Sequence, residues 1–341
     1  MNHTKLLLSV QVHKLQFGIL LTIALILVVC IRIHCNIVEK TQKMLIVGDS
    51  IGIGTGASNL DLKWYKFLPV FMEEEYNVKL EITNVSMGGN TSFAGYSRIM
   101  DLKEDDFDYV IVCYGENDRL DDFSLFYESI LRAIYWKWPE SKIITILESS
   151  QRKYTEKMKV IQQLSNHYHA QIADTIEAFN TSGMPYETLT DDGTHPNDKG
   201  QQIYFETVKD VLLQIHSMEE GLDSKDILPV NVEVERFKNY QFYGAEGLQK
   251  INGNELELEI AKTEAMVGIS YTPVMGENKI KVYADDKLVF EREYNWEHPF
   301  IQDYIELTGK ERVEFSKLKF VFETENQRNN FGGVILTAMP E

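Results

Sequence analysis

From residue 44 onward the apolar positions follow two rhythms. As far as about Met218, short apolar runs alternate with segments whose apolar residues recur every three or four positions. The runs are 44–47 (MLIV), 80–85 (LEITNV), 109–113 (YVIVC), 143–147 (IITIL) and 171–176 (QIADTI). The helix-like segments lie near 61–76, 93–103, 122–137, 154–169 and 198–216. Within 122–137, Phe123, Phe126, Ile130, Ala133 and Ile134 fall on one face, as a core-facing helix requires. Apolar strands alternating with amphipathic helices predict right-handed βαβ crossovers and a parallel sheet covered on both faces.

After Met218 the period falls to two. Residues 221–229 read as a linker, and 231–237 (NVEVERF), 255–260 (ELELEI) and 279–283 (KIKVY) alternate as half-buried strands do. Further strands are expected at 266–271, 288–294, 301–307, 318–322 and 334–338, with Asp285-Asp286 marking a hairpin turn. About eight short strands with little helix predict an antiparallel β-sandwich. The division is therefore an α/β domain over 44–218, a linker over 219–229 and an all-β domain over 230–341.

Residues 1–43 differ from both. Lys5 and Lys14 precede a continuous apolar run, 17–31 (FGILLTIALILVVCI), in the order of a secretory signal or signal anchor. The run is short for a span of about 20 residues, but a snorkelling Arg32 would extend it. No small-x-small cleavage site follows. The expectation is a cytoplasmic tail and a single-pass membrane anchor with the rest of the chain extracytoplasmic, or secreted if the segment is removed.

Charge narrows the partners. The chain carries −18 overall; its first 43 residues are net positive, so the remainder is more acidic still. An acidic body offers no footprint for phosphate backbones, which argues against nucleic acid. Cys30, Cys35 and Cys113 make no disulfide framework, and Cys113 sits in an apolar run as a small buried hydrophobe.

Candidate chemistry gathers at the ends of the predicted strands. The first run stops at Gly48-Asp49-Ser50, the second leads into Asn84-Val-Ser-Met-Gly-Gly89-Asn-Thr-Ser92, and the third into Gly115-Glu-Asn117-Asp118. Ser50, Gly89 and Asn117 would thus lie along one sheet edge, where open α/β sheets collect their chemistry. Asp192-Gly-Thr-His195 precedes the last helix of the same domain, and a carboxylate three residues before a histidine can fold back to orient its ring. A nucleophile, two oxyanion donors, a base and its orienter are the parts of an acyl-transfer site.

These four blocks, in this order, resemble the SGNH or GDSL-type hydrolase family over roughly residues 44–216. The resemblance implies a three-layer flavodoxin-like fold and ester substrates, with no metal or cofactor. It implies Ser50 as nucleophile, His195 as base and Asp192 as its partner, with the Ser50 and Gly89 backbone N–H groups and the Asn117 side chain as oxyanion hole. Glu116 departs from the family's usual small or uncharged residue.

The leading expectation is an extracytoplasmic serine esterase working through an acyl-enzyme, an O-deacetylase of a surface or cell-wall carbohydrate or an enzyme acting on a small ester. One alternative is an O-acyltransferase to a glycan, using the same triad and a membrane acyl-donor partner. Another is a surface-anchored carbohydrate-binding protein with an inert α/β domain. Tyr240, Phe242, Tyr243, Tyr294, Trp296 and Phe300 read first as core aromatics and second as a sugar-stacking face. His167-Tyr-His169 reads as a solvated helix end. Gly52, Gly54 and Gly56 are expected to let the loop after Ser50 wrap round an acyl group.

Overall fold

The computed structural model describes residues 40–103, 106–217, 227–298 and 301–338. The apolar segment 17–31 lies outside these residues; among the described ones no helix is long and apolar enough to cross a membrane.

The first domain runs β1 (Lys40–Gly48), α1 (Ser50–Ile53), α2 (Leu68–Tyr76), β2 (Val78–Asn84), α3 (Ser92–Asp101), β3 (Tyr109–Cys113), α4 (Leu120–Lys137), β4 (Lys142–Leu147), α5 (Glu156–His167), β5 (Gln171–Asp174), α6 (Thr175–Thr181) and α7 (Asp198–Ser217). Its five strands pair in parallel in the order β2-β1-β3-β4-β5, the flavodoxin-like order. Alternation along β1 shows both faces covered. Leu45 and Val47 join the core with α3, α4 and α5, while Met44 and Ile46 join the core with α2 and α7. The expected helix over 61–76 is broken: Leu60–Leu62 and Trp64–Phe67 are 3-10 turns, and Pro69 enters the first turn of α2, where its missing N–H costs no helical bond.

The second domain holds β6 (Tyr240–Gly244), β7 (Gln249–Asn252), β8 (Glu255–Tyr271), β9 (Gly276–Ala284), β10 (Lys287–Trp296), β11 (Tyr304–Leu307), β12 (Val313–Phe322), α8 (Glu325–Asn329) and β13 (Phe331–Ala338). All eight strands hydrogen-bond into one antiparallel sheet, in place of the two separate sheets a sandwich requires. Two expected strands, 255–260 and 266–271, are a single 17-residue strand. Its first part pairs with β7 and β12, its last part with β11 and β13. Leu256, Leu258, Val267 and Ile269 all face one core with Val282, Phe320 and Leu336.

The alternating stretch 231–237 is not a strand. Val232–Lys238 forms 3-10 turns, with Val234 and Phe237 buried at a spacing of three. Phe237 packs edge-on against Tyr96 and Phe126, so contact with the first domain overrides the period-two pattern. That contact is broad. Met266 and Ile335 of the second domain belong to the same apolar core as Phe93, Tyr96 and Phe126 of the first. The Tyr96 hydroxyl donates to Phe237 O at 2.6 Å, and Tyr240 reaches Asp101 at 2.7 Å. Buried Glu128 accepts from Tyr168 Oη (2.6 Å) and from the backbone N–H groups of Val230 (2.6 Å) and Asn231 (3.0 Å), pinning the end of the interdomain segment.

Candidate active site

At the carboxyl end of β1 the chain must turn beside β3. Asp49 N donates to Cys113 O at 3.0 Å, and a Cβ on Gly48 would lie 2.6 Å from that same oxygen, so only glycine lets the strands close here. Asp49 then caps the single turn of α1, its carboxylate accepting from Ile51 N at 2.9 Å. Ser50 opens that turn.

His195 Nε2 lies 2.9 Å from Ser50 Oγ, and His195 Nδ1 lies 2.6 Å from Asp192 Oδ2. A carboxylate at Nδ1 accepts only, which puts the ring proton there and leaves Nε2 to accept the serine proton. The other oxygen of Asp192 accepts the backbone N–H groups of Thr194 (2.9 Å) and His195 (2.8 Å). Partial burial raises the Asp192 carboxyl, but the hydrogen bonds from the His195 ring and from these two amides outweigh it and hold the group at about 2.

Of the glycines after Ser50, Gly56 packs against the histidine loop, while Gly52 faces Ser86. A Cβ on Gly56, at φ +95°, would strike Pro196 O and come within 3.0 Å of His195 Cβ; one on Gly54 would meet Lys63. Gln201, fully buried on α7, joins the pieces: its amide donates to Thr55 O (3.1 Å) and Pro196 O (2.9 Å) and its carbonyl accepts from Trp64 N (3.0 Å). Nothing in the sequence pattern singles out Gln201.

The other two predicted residues flank the serine. Asn117 Nδ2 donates to Asp49 Oδ2 at 3.1 Å and to Asn90 O at 3.2 Å. Gly88 lies against the turn that Ser50 opens, where a Cβ would sit 3.6 Å from Ser50 Cβ, and Gly89 follows at φ +68°. Asp118 ties the two loops together, accepting from Ser92 Oγ (2.5 Å) and Ser92 N (2.9 Å). Lys157 donates to the carbonyls of Gly115, Glu116 and Asp118. Glu116 turns to the end of β4, where Ser150 Oγ and Gln151 Nε2 each donate to it at 2.6 Å.

Beneath Ser50 lies a buried acidic cluster of Asp49, Glu148 and Asp118. Burial, reinforced by Asp118 and Glu116, pushes Asp49 up to about 8 against the hydrogen bond from Ile51. Burial and the neighbouring Asp49 raise Glu148 as well. Asp118 rises to about 6 through burial despite its bonds to Ser92.

The second domain also reaches this edge. Gln302 donates to Gly88 O, and the Tyr304 hydroxyl lies where a Cβ on Gly89 would be only 2.8 Å away. Of the aromatic residues considered for a sugar face, Tyr240 is used at the domain contact, and Trp296 is buried edge-on against Tyr304 and His298. Phe300 lies outside the described residues. His167 Nε2 sits 2.8 Å from Leu228 O, so this helix end meets the interdomain segment.

Comparison with known proteins bears on this geometry. Residues 46–203 match the GDSL-like Lipase/Acylhydrolase family. No curated protein matches the chain in sequence. Among solved structures, a two-domain esterase (CEX) active on acetylated mannans, co-crystallized with mannopentaose, aligns with 15% identity and TM-score 0.69, covering 89% of this chain and 92% of its own. A second structure of the two-domain esterase active on acetylated mannans gives TM-score 0.67 at the same identity and coverage. Axe2, an acetylxylan esterase from Geobacillus stearothermophilus, aligns with 18% identity and TM-score 0.44 over 53% of this chain and 97% of its own. The similarity to the two-domain esterase structures thus extends through the C-terminal sheet. Residues 46–203 thus form a GDSL-like lipase/acylhydrolase domain.

Proposed function

We propose that the protein is a serine esterase that removes acetyl groups from carbohydrate hydroxyls through a covalent acyl-enzyme. The observation that carries the chemistry is the unbroken hydrogen-bonded series Asp192–His195–Ser50. Ser50 Oγ attacks the ester carbonyl while His195 Nε2 takes its proton, and Asp192 steadies the resulting imidazolium. The Gly89 and Ser50 backbone N–H groups stabilise the oxyanion, joined by Asn117 as its amide exchanges its bond to Asn90 O for one to the oxyanion. The His195 proton then passes to the leaving sugar oxygen. Water, deprotonated by the same ring, attacks the acyl carbon and releases acetate, and the proton returns to Ser50.

The acetylated carbohydrate is the finer part of the reading. Its support is the two-domain neighbour, described as active on acetylated mannans, whose fold is matched through both domains. Placement outside the membrane, attached by residues 17–31, rests on the sequence pattern alone. The test uses the full chain in detergent with p-nitrophenyl acetate and acetylated mannan. Ser50→Ala is expected to lose at least about 10³-fold in kcat on both substrates, and a fluorophosphonate is expected to label Ser50. Equal rates for the two proteins would end the reading. Activity on the aryl ester with none on any acetylated glycan would remove its carbohydrate half.

A further inference from the structure

We propose that Gln302, on the segment leading into β11, is a positioning residue for the oxyanion site: the C-terminal sheet aims the Gly89 N–H. The inference rests on the reading of Ser50 and Gly89 given above. A peptide unit is planar and trans, so the direction of its carbonyl fixes the direction of its N–H, which points the opposite way. The N–H of Gly89 therefore points wherever the Gly88 carbonyl does not. That peptide lies between two glycines, and a Gly-Gly peptide has few steric barriers to rotating as a unit. Something has to hold it.

Two donors do so, and both depend on the C-terminal domain. Gln302 Nε2 donates to Gly88 O directly. Asn90 Nδ2 donates to the same oxygen at 3.1 Å. Asn90 is itself buried and held by β11: its amide donates to Asp303 O at 3.0 Å, and its carbonyl accepts from Ile305 N at 3.0 Å. The Asn90 side chain thus pairs with the 303–305 backbone as a neighbouring strand would. Its backbone carbonyl accepts from Asn117, the third oxyanion candidate. The loop 88–90 is gripped between Asn117 on one side and residues 302–305 on the other, and Tyr304 closes over the α-carbon of Gly89.

Loss of the Gln302 donor leaves Gly88 O with Asn90 alone and loosens the peptide without touching the substrate. Gln302→Ala is expected to lower kcat by about 10- to 100-fold, below the about 10²- to 10³-fold cost of deleting an oxyanion donor outright, with KM changed less than threefold. Gln302→Glu supplies the signature that separates aiming from mere packing. As a carboxylate it has no proton for Gly88 O; protonated, it regains a donor. The ratio of its kcat to that of the wild type is expected to rise severalfold as pH falls from 8 to 5. Slowed fluorophosphonate labelling of Ser50 in Gln302→Ala should accompany the kcat loss. If Gln302→Ala fails to fold, the Gln302→Glu ratio decides alone. With Ser50→Ala inactive, a wild-type kcat in Gln302→Ala, or a Gln302→Glu ratio flat with pH, overturns the positioning role and leaves the triad standing. Undiminished turnover by Ser50→Ala overturns both.

Discussion

The Ser50 neighbourhood carries two kinds of carboxyl group, and their environments drive them apart. Asp192, mostly exposed and bonded by the ring and two amides of its own loop, stays ionised to about pH 2. It is therefore charged wherever the enzyme works. Asp192→Asn keeps the shape but loses the acceptor that fixes the His195 tautomer, and kcat is expected to fall by about 10²- to 10⁴-fold. Steady-state rates on p-nitrophenyl acetate check this. Asp49 and Glu148 behave oppositely: burial holds both protonated well above their ordinary range, Asp49 to about 8. Between the ordinary carboxyl range and that value the unfolded chain gives up protons that the folded protein keeps. Stability therefore falls as pH rises through this window. Glu148→Gln removes one of these protons while leaving the serine's own turn intact. Its melting temperature is expected to decline less between pH 5 and 8 than that of the wild type, as thermal melts at fixed ionic strength will reveal. That Ser50, His195 and Asp192 would come together was legible from the chain, because they occupy strand-end and loop positions with local spacing. Asp49 sat in the same motif, yet its burial is a property of the packed sheet edge.

Local periodicity located the α/β elements well, since β1 to β5 and α3 to α5 are each buried by a pattern they carry themselves. It failed where a neighbour decides. Residues 231–237 alternate apolar and acidic, but Phe237 is drawn between Tyr96 and Phe126 and the segment coils into 3-10 turns. The 17-residue β8 looked like two strands because its middle, Ile260–Glu264, is not buried. Gln201 and Gln302, both holding loops across long sequence separations, have no local signal at all. Their importance is in what they keep paired. Gln201→Leu strips partners from Trp64 N, Thr55 O and Pro196 O in a buried place, and is expected to cost about 2–4 kcal/mol of stability. Urea unfolding checks the loss, and activity should fall with it because the His195 loop loses its tie to the turn after Ser50.

For the whole molecule, the decisive fact is that the apolar core of α3 and α4 runs into the second domain through Phe237, Met266 and Ile335. Two separately stable bodies on a flexible tether would not share a core. A chain ending at residue 217 is therefore expected to expose this face, to aggregate or bind a hydrophobic dye, and to retain little esterase activity. The full chain should unfold in one calorimetric transition. A monomeric, fully active 40–217 fragment would contradict this picture. The Asn90–Ile305 bond spans 215 positions, and that separation has a meaning in time. At about 5–20 residues per second, a ribosome completes the serine and histidine loops well before it delivers the segment that steadies residue 88. A nascent chain that has not yet reached residue 305 would therefore hold Ser50 and His195 beside a loop 88–90 that still lacks its partners from the second domain.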